Sequence, residues 1–113
     1  MTTSEMPVTF PGLRTANQQR LPLFQAHFGM MMDDWTLGDW GCALAGEVGE
    51  LCNLIKKVRR NQNIRVSHLA QELADVVIYA DLLAAKLGID LGEAVRLTFN
   101  NKSDELNLPV KFV

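Results

Sequence analysis

Two stretches of more than twenty residues, separated by a short polar segment, most constrain how this chain can fold. Apolar residues recur every three or four positions across residues 36–60 and 65–87, the spacing that places them on one side of an α-helix. The two stripes comprise Leu44, Val48, Leu51, Ile55 and Val58, then Leu69, Leu73, Val76, Ala80, Leu83 and Leu87. No pair of segments alternates apolar and polar residues as paired strands do. The sequence therefore predicts an all-α fold built around a helical hairpin.

Signals at the helix ends bound this hairpin and predict a further helix. Thr36 is suited to cap the first hairpin helix, and Asp39, three residues later, completes a capping-box pattern. Gly88 is expected to end the second helix in a left-handed conformation. A second capping-box pattern begins at Asp90, which predicts another helix over residues 91–105.

The N-terminal third is less regular. Thr9 and Pro11 are typical of a helix start, and Pro22 is expected to end or break that helix, since proline in a helix interior costs about 3 kcal/mol. Residues 21–35 lack a clean period and are expected to form a loop or a partly helical flap.

That segment carries aromatic side chains for which two roles stay open. They either line a pocket for a flat ligand or pack a small core. They are Phe24, His27, Phe28 and Trp35.

Four carboxylates lie in or beside the apolar stripes of the hairpin. Glu47 and Glu50 are three residues apart in GEVGEL, and Glu72 and Asp75 are three residues apart in QELADVV. Each pair lies on one side of its helix, about one turn apart. A single such acid is often ion-paired or reaches water, but burying several ionised carboxylates is costly unless a cation compensates. The pattern predicts a cation site.

The charge balance disfavours one class of partner. The net charge is −2 and the pI about 5.6, so neither nucleic acid nor an anionic membrane is expected to bind. The basic run comprises Lys56, Lys57, Arg59 and Arg60. A solvated helix C-terminus explains it, and the alternative is that Lys57, two turns beyond Glu50, faces a phosphate.

Cys42 and Cys52 would be about 15 Å apart on one helix, so they are expected to be free thiols. With no signal peptide and no long apolar run, we expect a cytoplasmic protein. The length allows one domain, expected at residues 9–105 between a flexible N-terminus (1–8) and an extended tail (106–113).

These motifs resemble the MazG-type nucleotide pyrophosphohydrolases. GEVGEL and ELADVVIY match the ExxE and ExxD halves of the family signature, and GIDLGEAV follows them. The resemblance covers about residues 36–104. The flanking RLPLF and FNNKSDE are most similar to short single-domain members from bacteria and phages.

The resemblance implies a bundle of about four helices completed by oligomerisation. It implies cleavage of a (d)NTP to the monophosphate and pyrophosphate, as in housecleaning of the nucleotide pool. Glu47, Glu50, Glu72 and Asp75 would be Mg²⁺ ligands, with Mn²⁺ as an alternative, because both ions prefer oxygen ligands. Glu47 or Glu50 would orient or deprotonate the attacking water.

Several residues are candidates for substrate contacts. Trp40 either packs in the core or provides a surface on which the base of the substrate stacks. The family often places a substrate-contacting residue at the position of Tyr79, although a core role is also open. Related sequences tend to read KFN where this chain has Thr98, Phe99 and Asn100, so a phosphate-binding Lys is missing and Lys102 would substitute.

The resemblance also implies a homodimer or homotetramer in which two chains complete each site, consistent with the small core available to a short chain. Two other functions stay open. One is hydrolysis of another phosphorylated nucleotide, of the phosphoribosyl-ATP or alarmone type. The other is a non-catalytic helical dimerisation module with a residual metal site.

Overall fold

Four α-helices make up the fold. The computed structural model describes residues 5–29 and 32–113, in which α1 spans Phe10–Phe28, α2 Leu37–Arg59, α3 Val66–Lys86 and α4 Leu91–Glu105. The helices α2 and α3 form the main hairpin, α1 packs against α3, and α4 rests on α1. These residues contain no strand, so the all-α prediction is confirmed.

The helix ends follow the sequence signals closely on α2 and α3. Thr36 and Asp39 form a reciprocal capping box, with Asp39 N–H donating to Thr36 Oγ1 at 3.1 Å. Gly88 follows α3 with a φ of +68°, as expected of a left-handed stop.

The second predicted capping box is only half formed. Asp90 caps α4 by accepting a hydrogen bond from Glu93 N–H at 3.1 Å. The Glu93 carboxylate, however, accepts from Arg96 instead of from the Asp90 backbone. The prediction of a full capping box at Asp90 was therefore wrong, because the arginine one turn later competes for the same carboxylate.

Helix α1 runs further than its sequence predicts. Thr9 caps it as expected, but the helix continues six residues past Pro22 to Phe28. Both Pro22 and Gln18 are exposed, so the Gln18 carbonyl that loses its N–H partner is accessible to water. The expected break at Pro22 was wrong.

Residues 21–35, predicted as a loop or a partly helical flap, are helical as far as Phe28, and the loop begins at Gly29, which ends α1 with a φ of +63°. Gln25, buried near the end of α1, holds the following chain by accepting from Met32 N–H at 2.9 Å. Residues 30–31, within the predicted loop, lie outside the described residues.

A buried carboxylate joins three of the helices. Asp81 of α3 is 1% exposed and accepts hydrogen bonds from Arg14 Nε at 3.1 Å and Asn17 Nδ2 at 2.9 Å, both on α1. Arg14 also donates to the Ile89 carbonyl, just before α4, at 2.7 Å. This Asp81 network sets the position of α1 along α3.

The C-terminal segment folds back on α4. The Phe112 backbone donates to Asn100 Oδ1 at 2.8 Å and accepts from Asn100 Nδ2 at 2.9 Å, and the Phe112 ring packs on Phe99 at 4.9 Å. The segment after α4 has neither helix nor strand.

Few apolar side chains are buried in the single subunit. Among the described residues they are Met32, Trp40, Leu54 and Ala84, whereas many large apolar side chains are exposed. Cys42 and Cys52 are exposed free thiols, as predicted. No helix in the described part of the chain is long and apolar enough to cross a membrane.

The Asp81 network leads to a stability prediction. Asp81→Ala leaves the Arg14 guanidinium without its buried partner, so we expect the free energy of unfolding to fall by about 3 kcal/mol in urea titration. The control is Glu105→Gln, which removes an exposed ion pair with Lys102 and should change stability by less than about 0.5 kcal/mol. Equal effects of the two substitutions would contradict a structural role for Asp81.

Candidate active site

The hairpin brings together acids that are distant in sequence. Carboxylate oxygens of Glu47 and Glu50 on α2 and Glu72 on α3 all lie within 4.8 Å of one another. Asp75 is not part of this closest group, but it lines the same cavity as Glu47. We call these four residues the acid cluster. Two helices therefore present negative charge to one small volume.

The acid cluster repels itself electrostatically. Burial raises the pKa of Glu47, and the charges of Glu50, Asp75 and Glu72 raise it further. Within the described residues, no lysine or arginine forms an ion pair with any member of the cluster. The cluster is thus a concentrated, uncompensated negative site.

The geometry around Glu72 fits a bound cation. One carboxylate oxygen of Glu72 is buried without a hydrogen-bond partner, and the other lies 3.5 Å from Nε2 of His68, one turn earlier. A buried, unpartnered anionic oxygen is unfavourable unless something positive contacts it. Together with Glu47 and Glu50 it forms the all-oxygen donor set that Mg²⁺ and Mn²⁺ accept.

A cavity of about 200 Å³ opens beside the acid cluster, between α1, α2 and α3. It is smaller than the roughly 300–1,000 Å³ of sites that enclose a whole drug-sized ligand, so it suits one part of a larger molecule. Its wall combines six apolar residues with five polar or charged ones. The lining residues are Asn17, Arg20, Leu21, Phe24, Met32, Trp40, Glu47, Asp75, Ile78, Tyr79 and Leu82.

Trp40 forms part of the cavity wall and is also core. It is 1% exposed, its ring centroid lies 4.8 Å from that of Trp35, and Lys86 Nζ lies 5.5 Å from the ring centroid. Its indole N–H is buried without a hydrogen-bond partner. The packing thus supports the core interpretation of Trp40, while the cavity leaves its contact with a ligand as a prediction.

One of the four aromatic residues considered for a pocket, Phe24, lines this cavity. The ring centroid of Phe28 lies 4.7 Å from those of Phe24 and His27. Neither Phe28 nor His27 lines the cavity. Trp35 contributes only indirectly, by packing on Trp40.

Tyr79 lies where the cavity meets the acid cluster. Its pKa is raised first by burial and then by the charges of Glu47, Asp75 and Glu50, whereas Arg20 acts in the opposite direction. The phenol therefore remains protonated at neutral pH and is able to donate a hydrogen bond to a ligand.

Arg20 was missed by the sequence analysis. It lies on α1 three residues after Asn17 and four before Phe24, so all three share the helix face that lines the cavity. This periodicity is visible in the sequence. Because Pro22 was expected to end the helix, however, the face was not extended to Phe24.

Three other candidates are not brought into the cavity within the subunit. Lys57 is exposed near the end of α2. Lys102 pairs with Glu105 at 2.9 Å on α4, and both ends of the Asn100 amide bond the Phe112 backbone. Contacts of these residues with a substrate stay predictions.

Gly46 and Gly49, beside the acids on α2, are not closely approached by another helix within the subunit. A Cβ atom at either position would contact nothing within 4 Å. The α2 backbone is therefore open at these two positions.

Comparison with known proteins identifies the family. A sequence model of the MazG nucleotide pyrophosphohydrolase domain matches residues 40–104, which is more than half of the 113 residues and includes the acid cluster. The chain belongs to the MazG family. No curated protein and no solved structure matches it significantly. The match confirms the predicted family and points to a nucleotide pyrophosphohydrolase.

Charge repulsion within the MazG acid cluster leads to a prediction. Because native Glu47 holds its proton more tightly than the unfolded chain does, its contribution to the stability of the metal-free protein is lost as the pH rises from 4.5 through its raised pKa. Glu47→Gln should therefore raise the melting temperature in EDTA at pH 7 by a few degrees and reduce the stabilisation by Mg²⁺. Thermal melts with and without Mg²⁺ measure both effects.

The control for this experiment is Glu105→Gln, which removes a carboxylate outside the cluster and should leave the Mg²⁺ effect unchanged. A Glu47→Gln protein that is less stable in EDTA, yet gains as much from Mg²⁺ as the wild type, would contradict the prediction.

Proposed function

We propose that this MazG domain is a metal-dependent nucleoside triphosphate pyrophosphohydrolase that converts a (d)NTP and water into the (d)NMP and pyrophosphate. The observation that carries the proposal is the convergence of Glu47, Glu50 and Glu72 beside a cavity of about 200 Å³. A cytoplasmic role in housecleaning of the nucleotide pool completes the proposal and rests on family resemblance alone.

The acid cluster would hold Mg²⁺, with Mn²⁺ as the second choice. When bound, the ion would supply positive charge to the triphosphate oxygens during cleavage of the bond between the α and β phosphates. Glu47 or Glu50 would accept a proton from the attacking water.

The cavity would hold the base. Phe24, Met32 and Trp40 provide an apolar wall, and the protonated Tyr79 provides a hydrogen-bond donor near the acids. Lys57 and Lys102 lie outside this cavity, so they would contact the phosphates only if the substrate extends beyond it or a second chain contributes them.

We also propose that the protein is a homodimer or a homotetramer. Several stripe residues are 40–55% exposed to solvent in the subunit, although they repeat at helical spacing. On α2 and α3 these exposed stripe residues are Val48, Ile55, Val58 and Leu73. A second hairpin packed on this face would complete a four-helix bundle and bring the acid clusters of two chains near each other.

The catalytic proposal predicts Mg²⁺-dependent pyrophosphate release from at least one member of a panel of standard and damaged (d)NTPs. Glu50→Gln and Asp75→Asn should lower kcat/KM by at least about 100-fold, because each removes a negative charge from the proposed metal site. Glu93→Gln, an acid paired with Arg96 on α4, is the matched control and should retain activity. Absence of turnover by the wild type on the entire panel would refute the proposal.

The oligomer proposal predicts a dimer or tetramer in sedimentation experiments. Ile55→Glu places a charge in the exposed stripe and should weaken association by at least roughly tenfold. Val8→Glu changes an exposed valine before α1 and should leave association unchanged. A wild-type monomer at micromolar concentration would overturn the proposal.

A further inference from the structure

Arg20 is the one basic residue among those that line the cavity. Its side chain is exposed, and it forms no ion pair with any of the described residues. Arg14, on the same helix, differs in this respect because its guanidinium is used by Asp81 and the Ile89 carbonyl. Arg20 therefore takes no part in the Asp81 network, and that network does not explain its position.

The neighbours of Arg20 in the cavity are chemically distinctive. It shares the cavity wall with Glu47, Asp75 and Tyr79, yet it forms no ion pair with either carboxylate. A free guanidinium near, but not bonded to, an acid cluster retains all of its donors for an anion that bridges the two.

The proposed substrate is such an anion. A triphosphate brought to four carboxylates is repelled, and divalent cations offset only part of that repulsion. A guanidinium is well suited to supply the remaining positive charge, because its planar fork bonds two phosphate oxygens at once. On α4, Thr98 is neutral and therefore supplies no such positive charge, and the ammonium of Lys102 is paired with Glu105.

We propose that Arg20 binds a phosphate oxygen of the nucleotide and holds the phosphate chain beside the acid cluster. This inference rests on the proposed function, since it assigns a phosphate contact within the same site. Arg20 is thus a phosphate-binding residue that α1 contributes, and its charge acts on the substrate rather than on the fold.

The test compares Arg20→Gln and Arg20→Lys with the wild type on whichever nucleotide the wild type cleaves. Arg20→Gln should raise KM and lower kcat/KM by about 10- to 100-fold, as expected for loss of a charge-assisted hydrogen bond, with a smaller change in kcat. Arg20→Lys should recover part of the loss, because it keeps the charge without the fork. Arg59→Gln, an exposed arginine near the end of α2 outside the cavity, is the matched control.

Two further measurements separate substrate binding from a structural role. Arg20→Gln should keep the wild-type melting temperature and the wild-type stabilisation by Mg²⁺, because Arg20 has no ion pair to lose. Inhibition by the products should weaken, by pyrophosphate if Arg20 contacts the leaving phosphates or by the monophosphate if it contacts the retained one.

The outcomes are distinguishable from failure of the proposed function. If the wild type releases pyrophosphate but Arg20→Gln retains its kcat/KM, or neither product inhibits the variant less, the inference is wrong and the proposed function stands. A loss of activity accompanied by loss of Mg²⁺ stabilisation would also overturn it, because Arg20 would then act through the acid cluster.

Discussion

Repulsion between carboxylates is the constraint on which this structure depends. The hairpin of α2 and α3 holds carboxylate oxygens of Glu47, Glu50 and Glu72 within 4.8 Å of one another, although no lysine or arginine of the described residues pairs with them. Helix packing elsewhere must offset this cost. The arrangement thus sacrifices stability in the metal-free protein to concentrate oxygen ligands at one point.

Helix α1 is what turns the acid cluster into a cavity. The Asp81 network sets α1 against α3, and the same face of α1 then presents Asn17, Arg20 and Phe24 to the cavity. A buried ion pair outside the acid cluster therefore determines which side chains can reach a ligand. Arg14 bonds Asp81 whereas Arg20 lines the cavity, so these two residues, six apart on one helix, have different environments.

The single subunit leaves much of its apolar surface unused. The apolar stripes on α2 and α3 present more surface than one hairpin can bury, because only some of their residues face the neighbouring helix. In the proposed oligomer, the surface that stabilises the assembly and the surface that carries the acids belong to the same two helices. Association and site geometry would then be coupled by their common backbone.

Sequence signals alone determined the ends of α2 and α3 and the residues of the acid cluster. Helical periodicity, the Thr36 capping box and Gly88 are local features, so they gave the bounds of α2 and α3 closely. The spacing of Glu47 with Glu50 and of Glu72 with Asp75 identified two acidic faces, and the ExxE and ExxD frame gave the family. Each of these inferences depends on residues close together in the chain.

Tertiary structure decided what no local pattern contains. Pro22 is tolerated because its surroundings are exposed, and the Glu93 carboxylate bonds Arg96 rather than closing a capping box. The place of Arg20 in the cavity depends on how α1 packs across α3, and the engagement of Asn100 depends on where the tail folds back. Local propensity fixes a helix, but which of its faces meets another helix is fixed only by the packing of the complete chain.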